Sequence, residues 1–199
     1  MFDSPPPLPS IPLAGETQSG RESAKGGKAW RDQMTTTKFV APIDQRYFED
    51  YLPGSTFEYG EIALSADEII EFARTFDPQP IHTDPEFAAR GPFGGLIASG
   101  WHTASVMMRL LADNYISRVA SMASPGVDEI RWLIPVRPGD RLSIRVTVLE
   151  TKRSRSKPDR GIVRTLVEVL NQNREIVMTL KPLSMVKCRG GLSETGVAE

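Results

Sequence analysis

Ser99-Gly100-Trp101-His102-Thr103-Ala104-Ser105-Val106-Met107-Met108-Arg109-Leu110-Leu111-Ala112-Asp113-Asn114-Tyr115 is the stretch on which the fold turns. It is the longest apolar helical pattern in the chain. Ala104, Val106, Met107, Met108, Leu110 and Leu111 cover most of a helix circumference, which predicts a helix buried on several sides. Downstream the period changes to two. Ile144, Val146 and Val148 alternate with polar neighbours, as do Val163, Thr165, Val167 and Val169, and then Ile176, Met178 and Leu180. Pro138-Gly139-Asp140 and Asn171-Gln172-Asn173 supply turns between these segments. With Val127 to Val136 they predict four consecutive antiparallel strands, one face of which covers the buried helix.

Upstream, Ser65-Ala66-Asp67-Glu68 has the form of a capping box, and Ile69, Ile70, Phe72, Ala73 and Phe76 follow at helical spacing. Pro78 disfavours the helical region for Asp77, and Pro80 does the same for Gln79, so Asp77 to Ile81 is expected to be stiff and extended. Asp84-Pro85-Glu86 predicts a short helix through Ala89, followed by a loop over Gly91-Pro92-Phe93-Gly94-Gly95. The ends differ from this middle. Residues 1–33 are rich in proline, then in glycine, serine and lysine, and lack the basic start and apolar run of a secretory signal, so a disordered extension is expected there. The domain is expected over residues 34–189, with Met34 as a candidate start, and residues 190–199 as a loose tail.

Composition sets the function classes. The chain has 199 residues with 24 Lys+Arg against 25 Asp+Glu, giving a formal net charge of -1, which argues against bulk attraction to nucleic acid or anionic membrane. No apolar run reaches the roughly 18 residues of a membrane-spanning helix. A single cysteine, Cys188, excludes an intramolecular disulfide framework and favours a reducing compartment, hence an expected cytoplasmic location. Cys188 itself is expected to be a small buried residue. The run from Lys152 to Arg160 is expected to be a solvated hairpin, or else a contact for the phosphates of a ligand.

Imidazole chemistry has two candidates, His82 and His102. Asp77 lies five positions before His82, and a carboxylate near an imidazole can hold or activate a water. The same residues fit a purely structural reading, in which Asp77 ends a helix and His82 packs beneath a loop. Gly100, at the start of the long helix, could offer a backbone N–H to a developing oxyanion, or could simply be a small residue after an N-cap. His102 is expected to be structural, and no metal site is expected from two histidines without a carboxylate cluster.

Phe76-Asp77-Pro78-Gln79-Pro80-Ile81-His82-Thr83-Asp84-Pro85, followed by the glycine-rich loop and Ser99-Gly100, resembles the hydratase motif of the MaoC-like dehydratases, the (R)-specific enoyl-CoA hydratases. The resemblance continues through Ile134-Pro135-Val136-Arg137-Pro138-Gly139-Asp140 and Ser154 to Gly161, and spans roughly residues 40 to 188. It implies an α+β hot-dog fold, an antiparallel sheet wrapped around a long central helix, in chains that pair as homodimers or as higher assemblies of dimers. It implies Asp77 and His82 as the catalytic pair and Gly100 as the oxyanion donor. Trp101, Met108 and Gln79 are the implied substrate-side residues, and the substrate is an acyl-CoA, with no cofactor. Gln79 stands where the family usually has asparagine, and Met108 where some members have serine. A thioesterase and a non-catalytic acyl-thioester-binding module remain as alternatives, since one fold hosts several functions.

Overall fold

The computed structural model describes residues 36–190. The expected extension over residues 1–33, the start at Met34 and nearly all of the expected tail lie outside them. Local signals set the first helices. Ser65 Oγ accepts the Glu68 N–H at 3.2 Å and Glu68 Oε2 accepts the Ser65 N–H at 2.8 Å, which completes the capping box of α1 (Ala66–Phe76). The extended stretch that follows is shorter than expected. Pro80 opens a helical turn, α2 (Pro80–Thr83), because proline suits the first helical position. Asp84 Oδ1 then accepts from the Glu86 and Phe87 amides and starts α3 (Pro85–Arg90).

The long helix, α4, runs Gly100–Asn114. It buries His102, Thr103, Val106, Met107, Leu110 and Leu111, whereas Trp101, Ser105, Met108 and Arg109 are exposed. One side is thus covered, not several: Met108 extends the apolar pattern but falls on the open side. Among the described residues the sheet holds five strands where four were expected: β1 (Thr56–Ala63), β2 (Ser121–Trp132), β3 (Arg141–Arg153), β4 (Arg160–Leu170) and β5 (Ile176–Lys187). All neighbours are antiparallel, in the order β1-β3-β4-β5-β2. A bulge between Tyr59 and Ile62 breaks the alternation of β1 and hides it in the sequence. The strand expected over Val127 to Val136 instead starts at Ser121 and ends at Trp132. Its Pro125 is tolerated because β2 is an edge strand.

Ile144 pairs with Val169, Val146 with Val167 and Val148 with Thr165, all buried in one core with the covered side of α4. On the other face Glu58, Arg145 and Glu168 form a row of alternating charge across β1, β3 and β4, with Arg145 Nε 2.8 Å from Glu58 and Nη1 3.5 Å from Glu168. A one-residue slip would send these charges into the core, so the row and the apolar face select the same register. At the far end of α4, buried Arg46 donates to the carbonyl oxygens of Tyr115 (2.7 Å) and Asn114 (3.2 Å), placing a cation at the negative helix end.

Gly60 lets α4 approach the sheet. Its φ is +68°, and a side chain there would run into Leu110 of α4. Gly60→Ala is expected to cost about 2–4 kcal/mol in urea unfolding, combining left-handed backbone strain with overpacking. Gly139→Ala, with φ +89° and open space around it, should cost only about 1 kcal/mol. Equal losses would contradict the packing account.

Candidate active site

Three neighbouring pieces of chain build the site: the turn after α1, the segment before α4, and the stretch that follows β2. Pro78 stops α1 so that Asp77 becomes its C-cap, and α2 then carries buried His82 back beside it. Asp77 Oδ2 accepts the Ser99 hydroxyl at 2.6 Å, and Oδ1 accepts the Gln79 amide at 2.7 Å. Ser99 Oγ in turn accepts the Trp101 N–H at 3.2 Å, so one hydroxyl both caps α4 and fixes the carboxylate. The Ser99 hydroxyl, then the Gln79 amide, hold the Asp77 carboxyl below its ordinary range against the opposing effect of desolvation, with the nearby His82 adding least to the lowering. Asp77 is therefore ionised near neutral pH.

His82 Nδ1 lies 2.9 Å from the Ile97 carbonyl oxygen. A carbonyl only accepts, so in neutral His82 the proton sits on Nδ1 and Nε2 presents a lone pair. That Nε2 lies 3.5 Å from Asp77 Oδ2. Two acceptors without a proton between them make no direct bond of their own, but both can accept from one water. The site therefore has the polarity of a water-holding base.

Asp77 and His82 open into a cavity of about 480 Å³. Ile81, Phe93, Ile97, Trp132, Val136 and Val177 supply most of its apolar wall, and Gly100, Trp101 and Thr103 line it from α4. The Gly100 amide, at the first position of α4, belongs to the group that a helix start leaves without an intrahelical acceptor. Its lack of a side chain has a cause that the sequence does not announce. A Cβ on Gly100 would lie 2.5 Å from Cε2 of Trp132, whose Nε1–H donates to the Gly100 carbonyl oxygen at 2.9 Å.

The structure thus brings Asp77, His82, Gly100 and Trp101 to one cavity. Gln79 touches Asp77 but is not part of the cavity wall, and Met108, exposed on the open side of α4, does not line it either. The basic hairpin between β3 and β4 also falls elsewhere. Arg160 pairs with Lys187 at one end of the sheet, whereas Trp132 and Val177 of the cavity lie at the other, near the Leu170–Ile176 pair. That hairpin therefore does not line the cavity of its own chain. His102 does not line the cavity: it stacks on Phe72 at 4.5 Å, and burial lowers its pKa. Cys188 is buried, and desolvation raises its thiol pKa. Among the described residues, no group of three or more His, Cys, Asp or Glu side chains is arranged to hold a metal, and no helix is long and apolar enough to cross a membrane. Sequence reasoning missed Ser99 as a partner of Asp77, the Ile97 carbonyl and Trp132. For Ser99 the N-cap position was a usable signal; a backbone acceptor and a wall across the fold leave none.

The MaoC like domain family matches residues 50–171, and the chain belongs to it. The crystal structure of the MaoC-like dehydratase from Rhodospirillum rubrum is 40% identical, with a TM-score of 0.68, over 72% of this chain and 98% of that one. A 3-hydroxybutyryl-CoA dehydratase of Methylorubrum extorquens is 36% identical over 105 residues, 52% of this chain and 64% of that protein. The 3-hydroxyacyl-thioester dehydratase Z of Mycobacterium tuberculosis is 33% identical over 110 residues, 54% of this chain and 73% of the relative. The fold is the hot-dog fold, and the family is one of acyl-thioester hydration and dehydration.

The Asp77 environment has a signed consequence. A carboxyl that titrates lower in the native than in the unfolded state adds stability above its unfolded pKa, and that stability is lost as pH falls through the native value. Ser99→Ala removes the largest cause of the lowering. Its destabilisation should be greatest near neutral pH and shrink as pH drops through the acid range. Urea unfolding of both proteins across pH measures this, and a penalty that stays constant with pH would contradict the assignment.

Proposed function

We propose that the chain adds water to trans-2-enoyl-CoA thioesters to give (R)-3-hydroxyacyl-CoA, or runs the reverse dehydration. One observation carries the reading: ionised Asp77 and the lone pair on His82 Nε2 face each other at 3.5 Å at the wall of an apolar cavity. A water there gives one hydrogen to each. As its oxygen bonds to the β-carbon, one proton passes to the pair and the alkene electrons move through the α-carbon onto the thioester oxygen. The Gly100 N–H stabilises that oxygen as enolate character develops. The carbonyl re-forms when the pair returns a proton to the α-carbon, so one hydroxyl and one hydrogen have been added and the pair is restored. Gln79 acts through Asp77: it holds Oδ1 and leaves Oδ2 turned to His82. The thioester itself acidifies the α-carbon, so the scheme uses no cofactor. The names of the dehydratase relatives support this class of substrate.

The assembly proposed is a homodimer through β2. This strand lies at a sheet edge, is 12 residues long and is exposed over most of its length, with Val127 half in solvent. Such an edge offers unpaired backbone groups to a second copy.

Two outcomes follow. Asp77→Asn and His82→Ala should each lower kcat/KM by about 100- to 10,000-fold while circular dichroism stays native. The assay is the loss of enoyl-thioester absorbance, with free thiol measured in parallel; full activity in either variant would sink the pair. Sedimentation should give a dimer that Val127→Asp shifts toward monomer, and a wild-type monomer would contradict the edge assignment.

A further inference from the structure

Trp132 stands inside the candidate site with no part in the addition of water. It is the last residue of β2, it lines the cavity, and it is 45% exposed, so the indole sits at the rim with one flank in solvent. Two contacts hold it there. Its Nε1–H donates to the Gly100 carbonyl oxygen at 2.9 Å, and its ring meets Trp101 edge to face, with centroids 5.4 Å apart and planes at 76°. The space beside the Gly100 Cα, where another residue would carry its side chain, belongs to this indole.

On the hydratase reading above, the thioester oxygen rests at the Gly100 amide. The acyl carbon next to the thioester carbonyl is then close to the Gly100 Cα that the indole covers. We propose that Trp132 is a specificity-determining wall: it admits 2-enoyl thioesters unsubstituted at the α-carbon and excludes those bearing an α-methyl group. The ring is rigid, its N–H is committed to a backbone carbonyl, and Trp101 braces it, so it cannot yield to an added methyl as a flexible side chain would. One carbon more or less in an apolar pocket is discriminated about 10- to 200-fold.

The test compares kcat/KM on trans-2-butenoyl-CoA and trans-2-methyl-2-butenoyl-CoA for the wild-type chain, Trp132→Phe and Trp132→Ala. The wild type should prefer the unbranched substrate. Trp132→Ala should raise the branched-to-unbranched ratio by about 10-fold or more, through a lower KM for the branched substrate, with Trp132→Phe in between. A ratio that stays within about twofold of wild type in both variants overturns the proposal. A second measurement needs neither a variant nor turnover: calorimetric binding of butanoyl-CoA and 2-methylbutanoyl-CoA to the wild-type protein. The branched thioester should bind about 10-fold more weakly, and equal affinities overturn the wall. Absence of turnover on both enoyl substrates would count against the hydratase reading, while this pair of saturated ligands would still decide the role of Trp132.

Discussion

The hydrogen bond from the Ser99 hydroxyl to Asp77 Oδ2, at 2.6 Å, is the constraint on which the site depends. It joins the end of α1 to the start of α4, two elements 22 residues apart at these positions. Ser99 is fully buried and its oxygen also caps α4, so the helix cannot turn about its axis without disturbing the carboxylate. Asp77 is in turn the C-cap of α1, held out of the helix by Pro78. The carboxylate is thus fixed from both sides by features whose first role is to end one helix and begin another. Its ionisation follows from the same contact, because a donated hydroxyl favours the charged form.

The second fixed element is the imidazole. By accepting from Nδ1, the Ile97 carbonyl determines which nitrogen of His82 is free, and Ile97 belongs to the segment that leads into Ser99. The Ala98 N–H donates to the Val136 carbonyl oxygen at 2.8 Å, which ties that segment to the stretch after β2. The orientation of Asp77 and His82, the proposed acid/base groups, is therefore a property of the backbone around the start of α4. This is preorganisation in a physical sense: the polar groups are oriented before substrate arrives, and the apolar wall keeps the surrounding dielectric low.

What the sequence makes legible is what lies close along the chain. The capping box of α1, the two prolines around Gln79 and the Asp84-Pro85 helix start act within a few residues, and each has a composition that reports it. β3 and β4 are legible because Ile144, Val146 and Val148, and Val163, Thr165, Val167 and Val169, recur at every second position along a buried face, and β5 through the shorter run of Met178 and Leu180. β1 is not, since Gly60 and the bulge beside it interrupt the period at the point where Leu110 comes close. The extent of β2 is obscured because an edge strand can carry Pro125 and Gly126, which suggest a turn. Asp77 and His82 are within reach of sequence reasoning because one short loop holds both. The Trp132–Gly100 contact spans 32 residues and has no local signature, so nothing near Gly100 in the chain reports that its bare Cα admits an indole. The exposure of Met108 is hidden for a related reason: a place in an apolar run says nothing about which side of α4 meets the sheet.

The central proposal is that Asp77 and His82 deliver a water to the β-carbon of an enoyl thioester. Turnover of trans-2-butenoyl-CoA in water enriched in heavy oxygen, followed by mass spectrometry of the product, tests it most directly. The account predicts one heavy oxygen on the 3-hydroxyl group, with the thioester intact and no free thiol. Heavy oxygen in a released carboxylate, with thiol formed in equal amount, would contradict it and make the chain a thioesterase.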